Sequence, residues 1–294
     1  MTAFVLLGDV MMDVTATVTE AINHGSDTPA RIYLQPGGSA ANTARWLAWS
    51  GQASSLIGCI GTDPNGVLIS EALMRDGVQP LLSTRTDART GTCIVVVEPA
   101  GERTMFPDAG ANALLAPSDL PLDAFVAGDH LHLSGYTLLR PATRAAGLHA
   151  LRLARQAGMS TSLDASSAAP IRDQPDAFHA AIDMVDLLLA NADEAIAMTG
   201  ATTAEQAGTL LASQTQAVVV KLGPFGALGF QDGQESSAPT VAATVVDTTG
   251  AGDAFAAGLL AHWRPGSSLE PALKQGNALA GVAVSRVGAG PAPA

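Results

Sequence analysis

Short apolar runs of strand length alternate along most of this chain with Ala-rich amphipathic stretches, and that rhythm limits the fold more than any single residue does. Residues 4–7, 54–60, 130–133, 159–163, 187–190, 217–221 and 241–246 read as strands. Several of these runs are continuously apolar, as expected of strands covered on both faces of a parallel sheet. Between them, helix patterns span residues 40–49, 66–75 and 144–156. They stop at Gly51, Gly77 and Gly158, where the residue past a helix needs positive φ. The repeat of strand, helix, strand predicts an α/β fold: a doubly wound, mostly parallel sheet flanked by helices, with right-handed crossovers. All 294 residues read as one domain, residues 1–294.

Two segments break the rhythm. Residues 14–34 and 90–107 lack a helix-length stretch and read as paired strands, the second with a turn at Pro99-Ala100-Gly101-Glu102. They are expected to pack together as a small β-sheet lid over a site. The tail 288–294 is expected to fray.

Composition removes several function classes. Lys plus Arg is 15 against 27 Asp plus Glu, a net charge of −12, which repels nucleic acid and anionic lipid. A hydrophobic fraction of 47% supplies a core and excludes disorder. Lys221 and Lys274 are the only lysines, so no mechanism can rest on a cluster of them. Cys59 and Cys93 lie far apart in apolar runs and read as buried free thiols of a reducing cytoplasm. The N-terminal run lacks the basic flank of a signal peptide, and no window is long and apolar enough to span a membrane. The expectation is a soluble, cytoplasmic protein.

The stretch Val246–Leu260, VDTTGAGDAFAAGLL, carries the strongest chemical signal. Gly250 and Gly252 let backbone N–H groups approach a ligand at a helix N-terminus, where unpaired donors and the dipole favour an anion. Asp253 in that turn would repel an anionic ligand unless its task is to take a proton. That suits a general base beside a transferring phosphoryl group. In QPGGSAANTARWLAW, residues 35–49, Gly37 and Gly38 precede a helix carrying Asn42, which offers a donor and an acceptor to hydroxyls. Asp13 follows the first strand in GDVMMD, at the strand end where open α/β sheets bind ligands. There is neither a GxxxxGK[ST] nor a GxGxxG motif, which argues against a P-loop or a dinucleotide oxidoreductase.

Together, DTTGAGD at 247–253 and GGSAANTA at 37–44 resemble the two signatures of the ribokinase-like (PfkB) family of carbohydrate and nucleoside kinases. The resemblance spans nearly the whole chain. It implies an ATP-dependent sugar kinase with Asp253 as base and Gly250, Ala251 and Gly252 as the anion hole for the γ-phosphoryl. Asp13, Gly38, Ser39 and Asn42 fall on sugar-contact positions. Asn191 and Glu194, in NADEA, match an N-x-x-E element that places Mg²⁺ and the phosphates, with Glu194 acting through water. Lys221, Gly223 and Gly226 match a nucleotide-binding segment, and Asn277 falls at the adenine edge. Asp247, Thr249 and the turn 285–288 resemble a monovalent-cation site for K⁺. A homodimer joined through the lids is implied as well.

The chain departs from ribose-specific members at Met11, where they carry Asn, and at Ser134, where they carry Glu. A neutral sugar other than ribose ranks first as substrate. Arg31, Arg89 and Arg103, in the lid segments, read first as solvated arginines and Tyr33 and Phe106 as lid packing; otherwise the arginines would meet an anionic sugar and an aromatic would stack on a nucleobase. An anionic sugar and a nucleoside therefore stand as alternatives, with a catalytically inactive binding protein more remote.

Overall fold

The computed structural model describes residues 2–99 and 102–291. Its strands are β1 Phe4–Leu7, β2 Met11–Val18, β3 Ala30–Gly37, β4 Ser54–Gly61, β5 Val78–Arg85, β6 Gly91–Val97 and β7 Arg103–Asp108, followed by β8 His130–Ser134, β9 Ser160–Asp164, β10 Leu187–Asn191, β11 Ala217–Lys221, β12 Ala227–Gln231 and β13 Gln234–Ala238. The main sheet has nine strands in the order β13-β12-β11-β10-β9-β8-β1-β4-β5. From β11 to β5 every pairing is parallel, and β12 and β13 add an antiparallel edge.

Alternating side chains build one core on each face, which is why the strands read as unbroken apolar runs. Phe4 and Leu6 join a cluster with Trp46, Leu47 and Leu259, from the helices Ser39–Trp49 and Ala251–His262. Val5 and Leu7 face the other way, into a cluster with Ala150 and Leu151 of the helix Pro141–Ala157. The three expected helices form, each extended toward its N-terminus to Ser39, Pro64 and Pro141. Gly51, Gly77 and Gly158 take φ of 78°, 82° and 79° as their positions require.

Strand order reverses between β1 and β8, because the chain moves outward to β4 and β5 on one side and to β8–β11 on the other. That reversal opens a crevice at the carboxyl ends of the strands. Asp9, Asp164, Asn191 and Lys221 stand at or just past the ends of β1, β9, β10 and β11, all bordering this crevice.

The lid is a separate sheet, β3-β2-β6-β7, with β2 and β6 parallel and the outer pairs antiparallel. Register divides its faces. Gln35, Asp13, Cys93 and Pro107 lie side by side, and Asp13, Cys93 and Pro107, with Val95 and Met105, line the crevice. Leu34, Val14, Ile94 and Phe106 form the next row, and on that opposite face Leu34, Ile94 and Phe106 are exposed. Of the turn expected at 99–102, Ala100 and Gly101 lie outside the described residues. Cys59 and Cys93 are free and buried.

Three expectations need correction. Residues 241–246 form no strand; they run irregularly along a cavity wall, and Val246 N donates to Val284 O of a helix instead of to a sheet neighbour. The edge strands β5, β12 and β13 were not anticipated. The tail does not fray as far as Pro291: Ala289 is buried and its carbonyl accepts from Trp46 Nε1 at 2.9 Å.

Candidate active site

The helix Ala251–His262 is apolar on almost every side, with Ala254 through Leu260 buried, so only its first turn reaches the crevice. Gly250 caps it at φ 74°, and a methyl group there would lie 2.3 Å from the Ala289 carbonyl oxygen, so any larger residue would displace the turn. In that first turn Asp253 is held by two donors from the helix Ser39–Trp49. Ser39 Oγ donates to Oδ1 at 2.8 Å and Asn42 Nδ2 to Oδ2 at 3.1 Å. These hydrogen bonds and the charge of Lys221 favour the carboxylate, but desolvation outweighs them and pushes Asp253 up to about 7. A carboxyl poised there can release and accept a proton near neutrality. Asn42 Oδ1 is buried with no partner among the described residues, an acceptor left over beside Asp253.

Two cavities meet at this turn. One, about 1200 Å³, lies between the small sheet and the carboxyl ends of the main strands and takes in Asp13, Gly38, Ser39, Asn42 and Asp253. The other, about 610 Å³ and mostly apolar, runs along Val241, Val245, Phe255, Asn277 and Val284. Lys221, Gly223, Thr248 and Gly252 line both. A group passing from one cavity to the other therefore crosses the Gly252 backbone next to Asp253.

Asp13 is buried, and burial pushes it up to about 6 against the opposing charge of Arg45. Gly38 has φ 98° and packs on the Asp9 carbonyl, which brings the start of the Ser39–Trp49 helix under the crevice. At the far wall, Asn191 and Glu194 satisfy each other. Asn191 N and Nδ2 donate to the two Glu194 carboxylate oxygens at 2.7 and 2.8 Å, while Glu194 N donates to Asn191 Oδ1 at 2.8 Å. The N-x-x-E element is thus a capping box, with the Glu194 carboxyl raised by burial and opposed by Lys221. Lys221 Nζ donates to Asp164 Oδ2 at 2.6 Å, and although burial disfavours its charge, Asp164 and Glu194 hold its pKa up. Gly226 lies in the second cavity; Asn277 does too, but its amide group donates to the Ala238 and Pro239 carbonyls.

Among the described residues no three His, Cys, Asp or Glu side chains cluster as a metal cage. Asn191, Glu194 and Asp164 nonetheless offer hard oxygens at the edge of the crevice. Such a donor set fits a Mg²⁺ ion that arrives on nucleotide phosphates and keeps its waters, and does not fit a dedicated protein site.

The lid residues divide into exposed ones and one that reaches the crevice. Arg31 and Arg89 are exposed and do not line the crevice, and neither do Tyr33 and Phe106. Arg103 does line it, but its Nη1 donates to Asp247 Oδ1 at 2.9 Å and to Thr249 Oγ1. Met11 borders the crevice, whereas Ser134 is buried beneath it, near Ser166 Oγ at 3.3 Å. Sequence reasoning missed Arg140, whose guanidinium makes a bidentate contact with Asp9 at 2.7 and 2.5 Å, and Asp164. Asp164 ends a strand in SLD, the same signal that marks the end of β1, while nothing local marks Arg140.

The profile described as "pfkB family carbohydrate kinase" matches residues 1–294. The chain is 34% identical to an ATP-dependent ribose-1-phosphate kinase of Halopiger xanaduensis, over 97% of this chain and 93% of that one. It is 31% identical to a fructokinase of Klebsiella pneumoniae, covering 87% and 82%. Its fold superposes on the adenosine kinase of Sinorhizobium meliloti with a TM-score of 0.89 and 26% identity, over 99% of this chain and 96% of that one. The family profile matches over the whole chain and two relatives exceed 30% identity across most of its length: this chain belongs to the pfkB family of carbohydrate kinases.

Proposed function

We propose that residues 1–294 act as one ATP-dependent kinase domain that phosphorylates a hydroxyl of a small neutral carbohydrate, with residues 14–34 and 90–107 as its lid. The observation that carries this reading is the place of Asp253. Its carboxyl lines the larger cavity, which also takes in Asp13 and Asn42, beside Gly252, whose backbone lines both that cavity and the smaller apolar one.

In this reading Asp13 and Asn42 orient the sugar, and its reacting O–H donates to Asp253. The proton passes to the Asp253 carboxylate as the hydroxyl oxygen bonds to the γ-phosphorus. The bond from that phosphorus to the β–γ bridging oxygen breaks, and ADP leaves. The backbone N–H groups of Gly250 and Gly252 face the charge on the transferring group, while the Ala251 N–H, the third member of the expected anion hole, donates to Thr248 O at 3.3 Å. Mg²⁺, when bound with the nucleotide near Asn191 and Glu194, supplies further positive charge to the phosphates. Lys221, Gly223, Gly226 and Asn277 shape the nucleotide cavity.

A second reading, an anionic sugar, is favoured by the Halopiger relative, whose name gives ribose 1-phosphate as its substrate. A panel of pentoses, hexoses, aldonates, phosphosugars and nucleosides, assayed by ADP release, separates these readings. Highest kcat/KM for a neutral sugar supports ours, and a phosphosugar or nucleoside in first place overturns it. ATP turnover with no acceptor on the panel would favour the binding-protein alternative.

The exposed apolar row on the outer lid face, with Ile94 at 47% and Phe106 at 58% exposure, supports a homodimer through the lids. A strictly monomeric species in light scattering at micromolar concentration would reject it. Two free buried thiols, and no helix long and apolar enough to cross a membrane among the described residues, suit a cytoplasmic enzyme.

A further inference from the structure

We propose that the guanidinium of Arg103 fills the position beside the anion hole that the sequence resemblance assigns to a monovalent cation, so that transfer needs lid closure instead of K⁺. The inference rests on the kinase reading for its activity test but has a structural test of its own. Asp247 Oδ1 accepts three hydrogen bonds, from Arg103 Nη1 at 2.9 Å, Thr249 N at 2.8 Å and Thr249 Oγ1 at 2.7 Å. Its Oδ2 accepts from Gly288 N at 2.9 Å. The Thr249 hydroxyl in turn accepts from Arg103.

A bound cation needs several oxygens with lone pairs free to face it. Here the Asp247 oxygen nearest Thr249 is fully engaged, the hydroxyl is spent in both directions, and a positive charge already stands between them. A second cation would meet like-charge repulsion in a setting only one-fifth exposed, with Arg103 at 20% and Asp247 at 19%. On its Asp247 Oδ1 and Thr249 side the site therefore does not fit K⁺ while Arg103 is in place.

The pairing also gives the lid a line to the catalytic turn. Arg103 begins β7 of the small sheet, whereas Thr249 precedes Gly250 and Gly288 precedes Ala289, whose carbonyl packs against Gly250. One carboxylate thus ties the lid, the anion-hole turn and the C-terminal segment together. Without the lid contact, the Asp247 carboxylate would keep its Thr249 and Gly288 donors but lose its only cation among the described residues. Arg103 is on this account a positioning residue, since it touches the turn and not the reacting atoms.

The test compares wild type, Arg103→Lys and Arg103→Gln in choline chloride and in KCl at equal ionic strength. Wild-type kcat is expected to be the same in both salts. Arg103→Gln should lose on the order of tenfold in kcat in choline, the effect of one charge-assisted contact, and regain activity in KCl as the ion enters the freed site. Arg103→Lys should fall between them. A wild type activated severalfold by K⁺, or an Arg103→Gln variant that neither loses activity nor responds to salt, would overturn the proposal. Hydrogen exchange at the Thr249 and Gly288 amides of the free protein gives the second readout. Exchange should accelerate in Arg103→Gln and slow again with K⁺, and unchanged exchange would count against the tether. If wild type phosphorylates no acceptor, the kinase reading fails, and exchange still decides the Arg103 contact.

Discussion

Asp253→Asn is the sharpest perturbation of this site, because one atom changes while the shape stays. Ser39 and Asn42 remain to hold the side chain, so the fold and the nucleotide cavity persist. A positioned general base contributes about 10²–10⁴-fold, and kcat should fall by at least the lower figure. Burial raises Asp253 to about 7, so wild-type kcat/KM should climb with pH to a midpoint near that value. The variant's residual activity should lack that limb. Stability responds in the opposite sense. The folded protein keeps the Asp253 proton up to about 7, whereas the unfolded chain releases it near the ordinary 3.8. Between those values the folded state binds more protons, so this group's contribution is full below about 4 and is lost as pH rises through 7. The loss is on the order of 2–4 kcal/mol, and Asn, which carries no charge, escapes it. Asp253→Asn should therefore melt several degrees above wild type at pH 8 and level with it at pH 4, by circular dichroism. Near-normal turnover would remove Asp253 from the chemistry. Melting curves that coincide at every pH would remove the desolvated carboxyl from the argument.

Two other substitutions probe the supporting structure. Gly37→Ala places a methyl carbon 2.1 Å from Asp13 Oδ2, so it should raise KM for the sugar tenfold or more while nucleotide affinity, read by titration calorimetry, stays the same. Lys221→Met leaves Asp164 and Glu194 facing each other with no cation between them, and should lower the urea midpoint by about 3–5 kcal/mol equivalent at pH 8. Part of that loss should return at a lower pH, because burial raises the Glu194 carboxyl and its protonation relieves the repulsion with Asp164. An equal loss at both pH values would point to packing alone.

The parallel half of the sheet was legible because each strand is buried on both faces and therefore apolar throughout, as in Leu187–Asn191. The edges were not. β5 carries Pro80 and polar residues that an edge tolerates, and β12–β13 alternate weakly, although Asp232-Gly233 between them, at φ 53° and 72°, is a two-residue hairpin signal visible in the sequence. Residues 241–246 misled because β-branched side chains that line a cavity look like those that fill a sheet. At the site, motif residues close in sequence to glycine turns were foreseeable. Arg140 was not, since its partner Asp9 lies 131 residues away and only the fold joins them. Arg103 was placed correctly on the lid, but its partner at 247 could not be read from spacing.

The charges of the crevice support the proposed neutral acceptor more than any one contact does. Its cations are Arg103, Arg140 and Lys221, and each already has a carboxylate: Asp247, Asp9 and Asp164. The second lysine, Lys274, pairs with Glu270 at the surface and is no part of the crevice. Among the described residues, Asp13, Glu102 and Asp253 line the crevice with no cation in salt-bridge contact, and Glu194 shares Lys221 with Asp164. Two like charges 4 Å apart repel by about 4 kcal/mol at an effective dielectric of about 20, so an anionic acceptor would have to break one of the existing pairs to be held. A polyol meets no such penalty, because carboxylates and the unpartnered Asn42 Oδ1 are acceptors that hydroxyls satisfy. Negative charge enters only with the nucleotide, and there the helix N-terminus at Gly250–Gly252 offers backbone donors that need no side-chain cation. The proposed reading then divides the labour: hydroxyl recognition by acids on one side of Asp253, anion stabilisation by backbone on the other.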